Sequence, residues 1–384
     1  MHKRSSSWNV LISLISITVL LNLIAFSKDF CDFYADRIYP VINRVIGTLT
    51  SWIPFAMGEM LMYIGALMLI ALPVVAGLLL FLRKRKGYRN FAVKYMKTVL
   101  MTGIVFLLLY TTNWFIPFRC RIVKVSSNTR TEYTAEEVTI LRRNIVNQLN
   151  ELAYQVPRDE EGHMIYDYTQ EEIFEAMRDA GDRFPRLKGH YSCAKPALCS
   201  DFLDWMGIGG YNYIYTMEPT YNRYCNPLYL PVLIAHELSH HKGYYRENEA
   251  EFLSAIALAE CDNPVLKYSA YREMYYYIDA DYMDAVYSSL YPQNYELTEE
   301  DLSRLAEVLR KEPQLSKQVL ADFQYAYEEG VASYEENANP FLEENFKGIS
   351  EEVAKTGWEI QGEVLKENSY DGITLLLLQY YFEQ

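Results

Sequence analysis

Acidic residues are almost missing from the first third of the chain. Among 384 residues with 36 Lys and Arg and 50 Asp and Glu, residues 1–118 hold only Asp29, Asp32, Asp36 and Glu59 as acids. Beside them stand 12 basic residues, a net of +8. Residues 119–384 hold the other 24 basic and 46 acidic residues, a net of −22. Such a split excludes a simple soluble one-domain protein. It also argues against a nucleic-acid binder, because the larger part repels phosphates. The sequence contains no CxxC pair, so a zinc ribbon is excluded, and it has no internal repeat and no low-complexity tract. Half of the residues are apolar or aromatic, which excludes global disorder.

What is present in the first third is apolar. Trp8–Ser27, Met60–Leu82 and Thr98–Phe118 carry no charge. Each is close to the ~20 residues a helix needs to cross a bilayer. The expectation is a membrane domain over 1–118 with three transmembrane helices, at about 8–27, 60–82 and 98–118, and a separate domain over 119–384. Lys and Arg set the orientation. The connection 83–97 holds Arg83, Lys84, Arg85, Lys86, Arg89, Lys94 and Lys97 and no acid, so this loop and the N-terminus are expected in the cytoplasm. The segment 28–59 and everything after Phe118 then face outward, and the protein is multi-pass in the cell membrane. The six cysteines, Cys31, Cys120, Cys193, Cys199, Cys225 and Cys261, all fall on that outer side. Cys31 and Cys120 each follow a span, and a disulfide between them is expected.

The large domain reads as mostly helical. Thr134-Ala-Glu-Glu137 and Thr169-Gln-Glu-Glu172 are capping boxes. The first opens a stripe of Val138, Leu141, Ile145, Leu149 and Leu152. Further helices are expected near 229–242, 246–260, 264–289, 298–311 and 314–328. Ile373–Phe382 is too short to span a membrane and reads as a docked terminal helix. One stretch, Tyr211-Asn-Tyr-Ile-Tyr-Thr-Met-Glu218, reads as an edge strand ending at Pro219. The fold class is α+β, mostly helical, with a small sheet.

Three of the six histidines lie within six residues, in Ile234-Ala-His-Glu-Leu-Ser-His-His-Lys-Gly243. This contains His-Glu-x-x-His. On a helix His236 and His240 share a face, so two imidazoles can reach one Zn²⁺. Glu237 sits one step round, where it can act on a water without ligating the metal. Gly243 stops the helix, and a second, acidic helix starts at Arg246. Glu247 and Glu251 share one face of it, and Glu249 lies on roughly the opposite side. Glu247 is taken as the third ligand and Glu251 as the partner of a ligand imidazole, although the two can be exchanged. The bland alternative is a surface helix with clustered His and Glu, and Lys242 favours it slightly.

The pattern resembles the gluzincin zinc metallopeptidases, with His-Glu-x-x-His on one helix and Glu on the next. Glu247-x-x-Ala250-Glu251 is similar to the Glu-x-x-Ala-Asp of membrane peptidases of the CAAX prenyl protease and HtpX type, with Glu251 in place of Asp. The nearest resemblance is to an uncharacterised bacterial membrane family known only as a domain of unknown function. It is carried by Thr216-Met-Glu-Pro, Asn222, the His-Glu-x-x-His block and Tyr268-Ser269, and it is strongest over 185–275. It implies three transmembrane helices followed by a zincin-like domain, and a zinc peptidase. The metzincin pattern fails, because it wants His or Asp where this chain has Arg246.

The functional expectation is a membrane-anchored zinc-dependent metalloendopeptidase that hydrolyses peptide bonds through a water activated by Zn²⁺. Its metal ligands are His236, His240 and Glu247, and Glu237 is the general base. Tyr268, Tyr271, His241 and His190 are candidates to stabilise the transition state. The strand at 211–218 could hold an extended peptide. Glu218 either anchors the substrate N-terminus or caps a turn before Pro219. The partners expected are a peptide or protein substrate and the lipid bilayer, with no nucleic acid. The competing readings are a non-catalytic membrane sensor or peptide-binding protein with a zinc site, and a zinc hydrolase of a cell-wall amide. Intact Glu237 favours an enzyme, because a structural site has no use for a base.

Overall fold

The apolar runs of the first third form helices. In the computed structural model, which describes residues 6–126, 133–292, 295–348 and 372–383, the chain opens with α1 (Ser6–Ile24), α2 (Lys28–Arg37), α3 (Tyr39–Ser51), α4 (Met57–Leu82) and α5 (Lys86–Phe118). Among the described residues, α4 and α5 are long and apolar enough to cross a membrane. Trp8–Ile24 meets that test only together with Lys28–Arg37, from which it is bent by 115°.

Two expectations are corrected here. Residues 83–97 are not a loop: α4 ends at Leu82 and α5 begins at Lys86. Lys and Arg are good helix formers, so most of the basic cluster occupies the first turns of α5, and the uncharged run begins at Thr98 within the same helix. The segment 28–59, left as a connection, contains both α2 and α3. Ser27 caps α2 by accepting from the Phe30 backbone N–H, and Pro40 sits in the first turn of α3, where its missing N–H costs nothing.

Near its C-terminal end α5 widens into a single π-type turn over Thr111–Phe115. That turn aims Asn113 at the following domain, where its Nδ2 donates to the Ile214 carbonyl at 2.8 Å.

The rest of the chain is helical around a three-stranded sheet. Both capping boxes form: Thr134 and Thr169 accept from the third backbone N–H, and Glu137 and Glu172 reach back to the caps. They start α6 (Ala135–Leu152) and α7 (Gln170–Ala180). The stripe Val138, Leu141, Ile145, Leu149 and Leu152 is buried as expected. At about 1.5–3 kcal/mol per fully buried side chain it holds α6 on the core. A short α8 (Ser200–Trp205) lies between the first and second strands of the sheet. The helices α9 (Leu230–His241), α10 (Glu247–Glu260), α11 (Pro264–Leu290), α12 (Glu299–Leu309) and α13 (Lys317–Asn337) agree with the sequence pattern. Only α13 departs much from expectation, running further than residue 328. The terminal α14 (Ile373–Phe382) docks on the core, with the Tyr380 hydroxyl donating to Glu260.

The sheet has the order β1-β3-β2, with β1 Lys195–Pro196, β2 Gly210–Tyr213 and β3 Glu218–Tyr221. The stretch 211–218 is therefore not one strand. It turns over Ile214–Met217, where Met217 adopts φ 52°, and Tyr213 pairs with Glu218 across an antiparallel hairpin. The edge position is correct for β2. Cys31 and Cys120 share a buried cluster with Tyr39, Met217 and Tyr245. Both are free thiols, so the expected disulfide is absent. Their surroundings explain this: each packs as a small apolar side chain, and the Cys31 thiol donates to the Ala25 carbonyl at 3.3 Å.

Candidate metal centre

Helix α9 is buried from Pro231 to His241, which removes the surface-helix alternative. Val232, Ile234, Ala235 and Leu238 belong to the main core, so the helix cannot rotate without exposing them. The chain leaves α9 through Lys242 and then Gly243, at φ +88°, a backbone conformation that a β-carbon opposes. A side chain there would also press on the Tyr39 ring, at 3.3 Å. Four residues later α10 begins, and its first residue is Glu247.

That reversal brings the ligand atoms together. Glu247 Oε2 lies 3.1 Å from His236 Nε2 and 3.4 Å from His240 Nε2. The rings of His236 and His240 are perpendicular, at 4.6 Å. One ligand atom from each of the three residues lies within 4.8 Å of the others. The opposite nitrogens are also held. His240 Nδ1 is 2.7 Å from the Tyr244 carbonyl oxygen. His236 Nδ1 is 3.3 Å from Glu251 Oε1, a contact set by charge rather than by a well-aligned hydrogen bond. Glu249 lies apart, accepting the Val123 backbone N–H at 2.5 Å.

The electrostatics follow from burial. Burial pushes the His236 imidazole down, and Glu251 and Glu247 more than reverse this, leaving it well above the ordinary range. His240 is raised in the same way, by Glu247 against burial. Burial pushes Glu247 up, but His240 and His236 outweigh it and hold the carboxyl well below the ordinary range. For Glu237 burial wins, and its carboxyl is pushed up to about 7. Its Oε2 is buried with no hydrogen-bond partner. Two imidazole nitrogens, one carboxylate and an orphaned carboxylate oxygen beside them form a donor set that suits Zn²⁺. A divalent cation would replace the imidazole protons and satisfy the same charges.

A cleft of about 480 Å³ opens on this cluster. Gly207–Asn212 and Ile214 form one wall, so the edge strand β2 borders it. Trp114 of α5 also lines it, with Tyr229, Tyr245 and Tyr277. Tyr245 stacks on His240 at 5.8 Å, and its hydroxyl meets those of Tyr39 at 3.0 Å and the Asn212 amide at 3.2 Å. Nothing in the sequence pattern marks Trp114 or Tyr229 for the cleft, whereas Asn212 belongs to the stretch 211–218 expected to hold a peptide. Tyr245 had a weak sign, its place in the short turn between the two ligand helices.

Several sequence candidates lie elsewhere. Tyr268 is buried away from the cleft and donates to Asp322 at 3.0 Å; Asp322 in turn pairs with Arg158. It belongs to a structural network, because that face of α11 looks toward α13. Tyr271 packs against the core. His190 reaches Thr48 at 3.4 Å, outside the cleft. His241 is buried, driven well below its ordinary range by burial, and only its carbonyl is engaged, by Asn43 and Tyr39. Glu218 is not among the residues that line the cleft. It is 1% exposed, pairs with Lys195 at 2.5 Å and accepts the Met57 and Gly58 backbone N–H groups at 3.2 and 2.8 Å. It thus caps the start of α4, whose N-terminal N–H groups attract a carboxylate. Lys242, unusual for a peptidase helix, donates to the carbonyls of Lys188 and His190 and lies 3.8 Å from the Tyr191 ring centroid. Burial lowers its pKa to about 7.

No curated protein and no solved structure matches this chain. Residues 34–351 match the model of a family described as a protein of unknown function, DUF3810. The match takes in α3, the sheet and both helices of the metal centre, and the chain belongs to the DUF3810 family.

Proposed function

We propose that this chain is a membrane-anchored zinc-dependent metalloendopeptidase. His236, His240 and Glu247 hold Zn²⁺, Glu251 positions His236, and Glu237 is the general base. The observation that carries the reading is the convergence of two imidazole Nε2 atoms and Glu247 Oε2, with the Glu237 carboxylate beside them and one of its oxygens unpartnered. The resemblance of the two helices to the gluzincin pattern supports it. The apolar helices and the Lys/Arg distribution support a location in the cell membrane, with the metal centre on the extracytoplasmic side.

When bound, the metal acts as a Lewis acid and makes water a competent nucleophile near neutral pH. The chain's own residues do the rest. The free outer edge of β2 borders the cleft, and an extended peptide added there would lie alongside the metal ligands. Glu237, raised by burial into the range useful for proton transfer, takes a proton from the attacking water and returns it to the leaving amine. Tyr245, stacked on His240, borders the place where the scissile carbonyl would sit.

The test uses the full-length protein in nanodiscs, with metal analysis and a peptide-library cleavage assay, beside Glu237→Gln. One zinc per chain and cleavage that disappears in Glu237→Gln support the proposal. Cleavage retained in that variant removes Glu237 from its role. Zinc bound without cleavage in the wild type favours a sensor or a non-peptide amide substrate.

A further inference from the structure

Helix α3 carries large apolar side chains on the face it turns away from the protein as well as on the face it buries. The face turned to the protein buries Tyr39, Asn43, Gly47 and Thr50, with Ile42 and Ile46 half-buried beside them. Asn43 Nδ2 donates to the His241 carbonyl, Gly47 packs against Ser192 and His241, and Thr50 Oγ1 donates to the Thr216 carbonyl at 3.0 Å. The face turned away is apolar: Val41 is 61% exposed, Val45 56%, Leu49 69%, and Trp52, just past the helix end, 86%. These four recur every three to four residues, and at 100° per residue they centre about half a turn from Asn43 and Gly47. Single exposed apolar side chains are ordinary, whereas a continuous stripe of large ones marks a partner.

The chain around α3 says what that partner is. The segment from Ser27 to Ala56 is tied at both ends to apolar helices, α1 before it and α4 after it. If those helices cross the bilayer, both ends of the segment stand at the same membrane face. Phe26, 72% exposed, and Phe55 extend the apolar surface toward each of them. α3 has no acidic residue, and its one charged residue, Arg44, is exposed on the flank of the stripe, where its guanidinium can reach lipid phosphates. We infer that α3 is an interfacial helix, with Val41, Val45, Leu49 and Trp52 seated in the bilayer surface. Its other face then holds the His241 end of the metal helix about one helix diameter, ~10 Å, above the lipid. The inference rests on the membrane reading of α1 and α4 and is independent of the metal chemistry.

Tryptophan quenching in the full-length protein tests it. Wild type and Trp52→Phe are reconstituted in vesicles of phosphatidylcholine and phosphatidylglycerol, with and without lipid brominated near the headgroup. Their difference in emission is the Trp52 signal. The expected result is loss of most of that signal in brominated lipid and little loss with aqueous iodide. Quenching by iodide but not bromine would place the face in water and overturn the inference. Quenching by neither would place it against protein, such as a second copy of the chain, and would also overturn it. Should Trp52 emit too weakly, Val45→Trp in the Trp52→Phe background reads the same stripe two turns away. A Trp8→Phe difference run in parallel reports on α1: no bromine quenching there would mean that the membrane reading has failed, whatever α3 does.

Discussion

His240 Nδ1 lies 2.7 Å from the carbonyl oxygen of Tyr244. A carbonyl only accepts, so Nδ1 carries a hydrogen, and a cation that displaced the proton on Nε2 would meet that nitrogen's lone pair on the side facing Glu247. The turn through Gly243 thus sets the ligand tautomer of His240 with main chain, which no side-chain substitution can imitate. His236 has no such main-chain partner, and its Nδ1 faces the Glu251 carboxylate at 3.3 Å.

This asymmetry gives the first prediction. Glu251→Ala should weaken zinc binding about 10–100-fold, the usual cost of losing a group that orients a ligand. Glu247→Ala should weaken it more, since it removes a ligand atom. Chelator competition on the detergent-purified full-length protein measures both. A larger loss for Glu251→Ala would exchange the two assignments that the sequence left open.

Glu218 gives the second. Its carboxylate is spent on Lys195 and on the first N–H groups of α4. Glu218→Gln breaks a buried ion pair and should cost about 3–5 kcal/mol, seen as a lowered thermal midpoint. If Glu218 instead anchored the substrate N-terminus, the same variant would raise KM and leave the midpoint unchanged.

These residues show what the sequence could and could not reveal. The capping boxes at Thr134 and Thr169 and the pairing of His236 with His240 depend on spacings of three or four residues, which a helix converts directly into proximity. Glu247 was readable because only a short turn separates the two helices. Tyr39 and Asn43 were not, because they reach His241 from about 200 residues away and lie in a segment with no long apolar run. Trp114 enters the cleft through a π-type turn that breaks the helical period. Tyr268-Ser269 pointed elsewhere because a dipeptide on a long helix does not say which neighbour its face meets; Ser269 holds the Val232 N–H at the start of α9, while Tyr268 turns to Asp322.

A pH dependence follows from Glu273 on α11. Burial, with repulsion from Glu251, raises its carboxyl from 4.5 to about 7, although Arg272 pairs with it at 2.7 Å. The folded state therefore holds this proton more tightly than the unfolded chain does. The contribution to stability is greatest below pH 4.5 and is lost as pH rises through about 7. Glu273→Gln keeps the neutral form at every pH. Its thermal midpoint, relative to wild type, should thus be more favourable at pH 8 than at pH 5; a difference that does not change with pH would contradict the assignment.

Gly210 joins the sheet to the base. It pairs with Tyr221 in the hairpin, and a β-carbon added to it would stand 2.6 Å from the Thr220 carbonyl oxygen and 3.0 Å from Glu237 Oε1. The first contact is to main chain locked in the same ladder, so Thr220 cannot easily move, and the strain of overpacking should cost about 1–3 kcal/mol. The second contact displaces Glu237, and a shift of about 1 Å in a catalytic group can lower turnover on the order of 10²-fold. Gly210→Ala should therefore retain zinc, because none of the three ligands is touched, lower the thermal midpoint, and lose most peptide cleavage. Metal content, midpoint and turnover measured on one preparation separate these effects. Unchanged turnover would mean that Glu237 has room to move and that the backbone of β2 does not set its position.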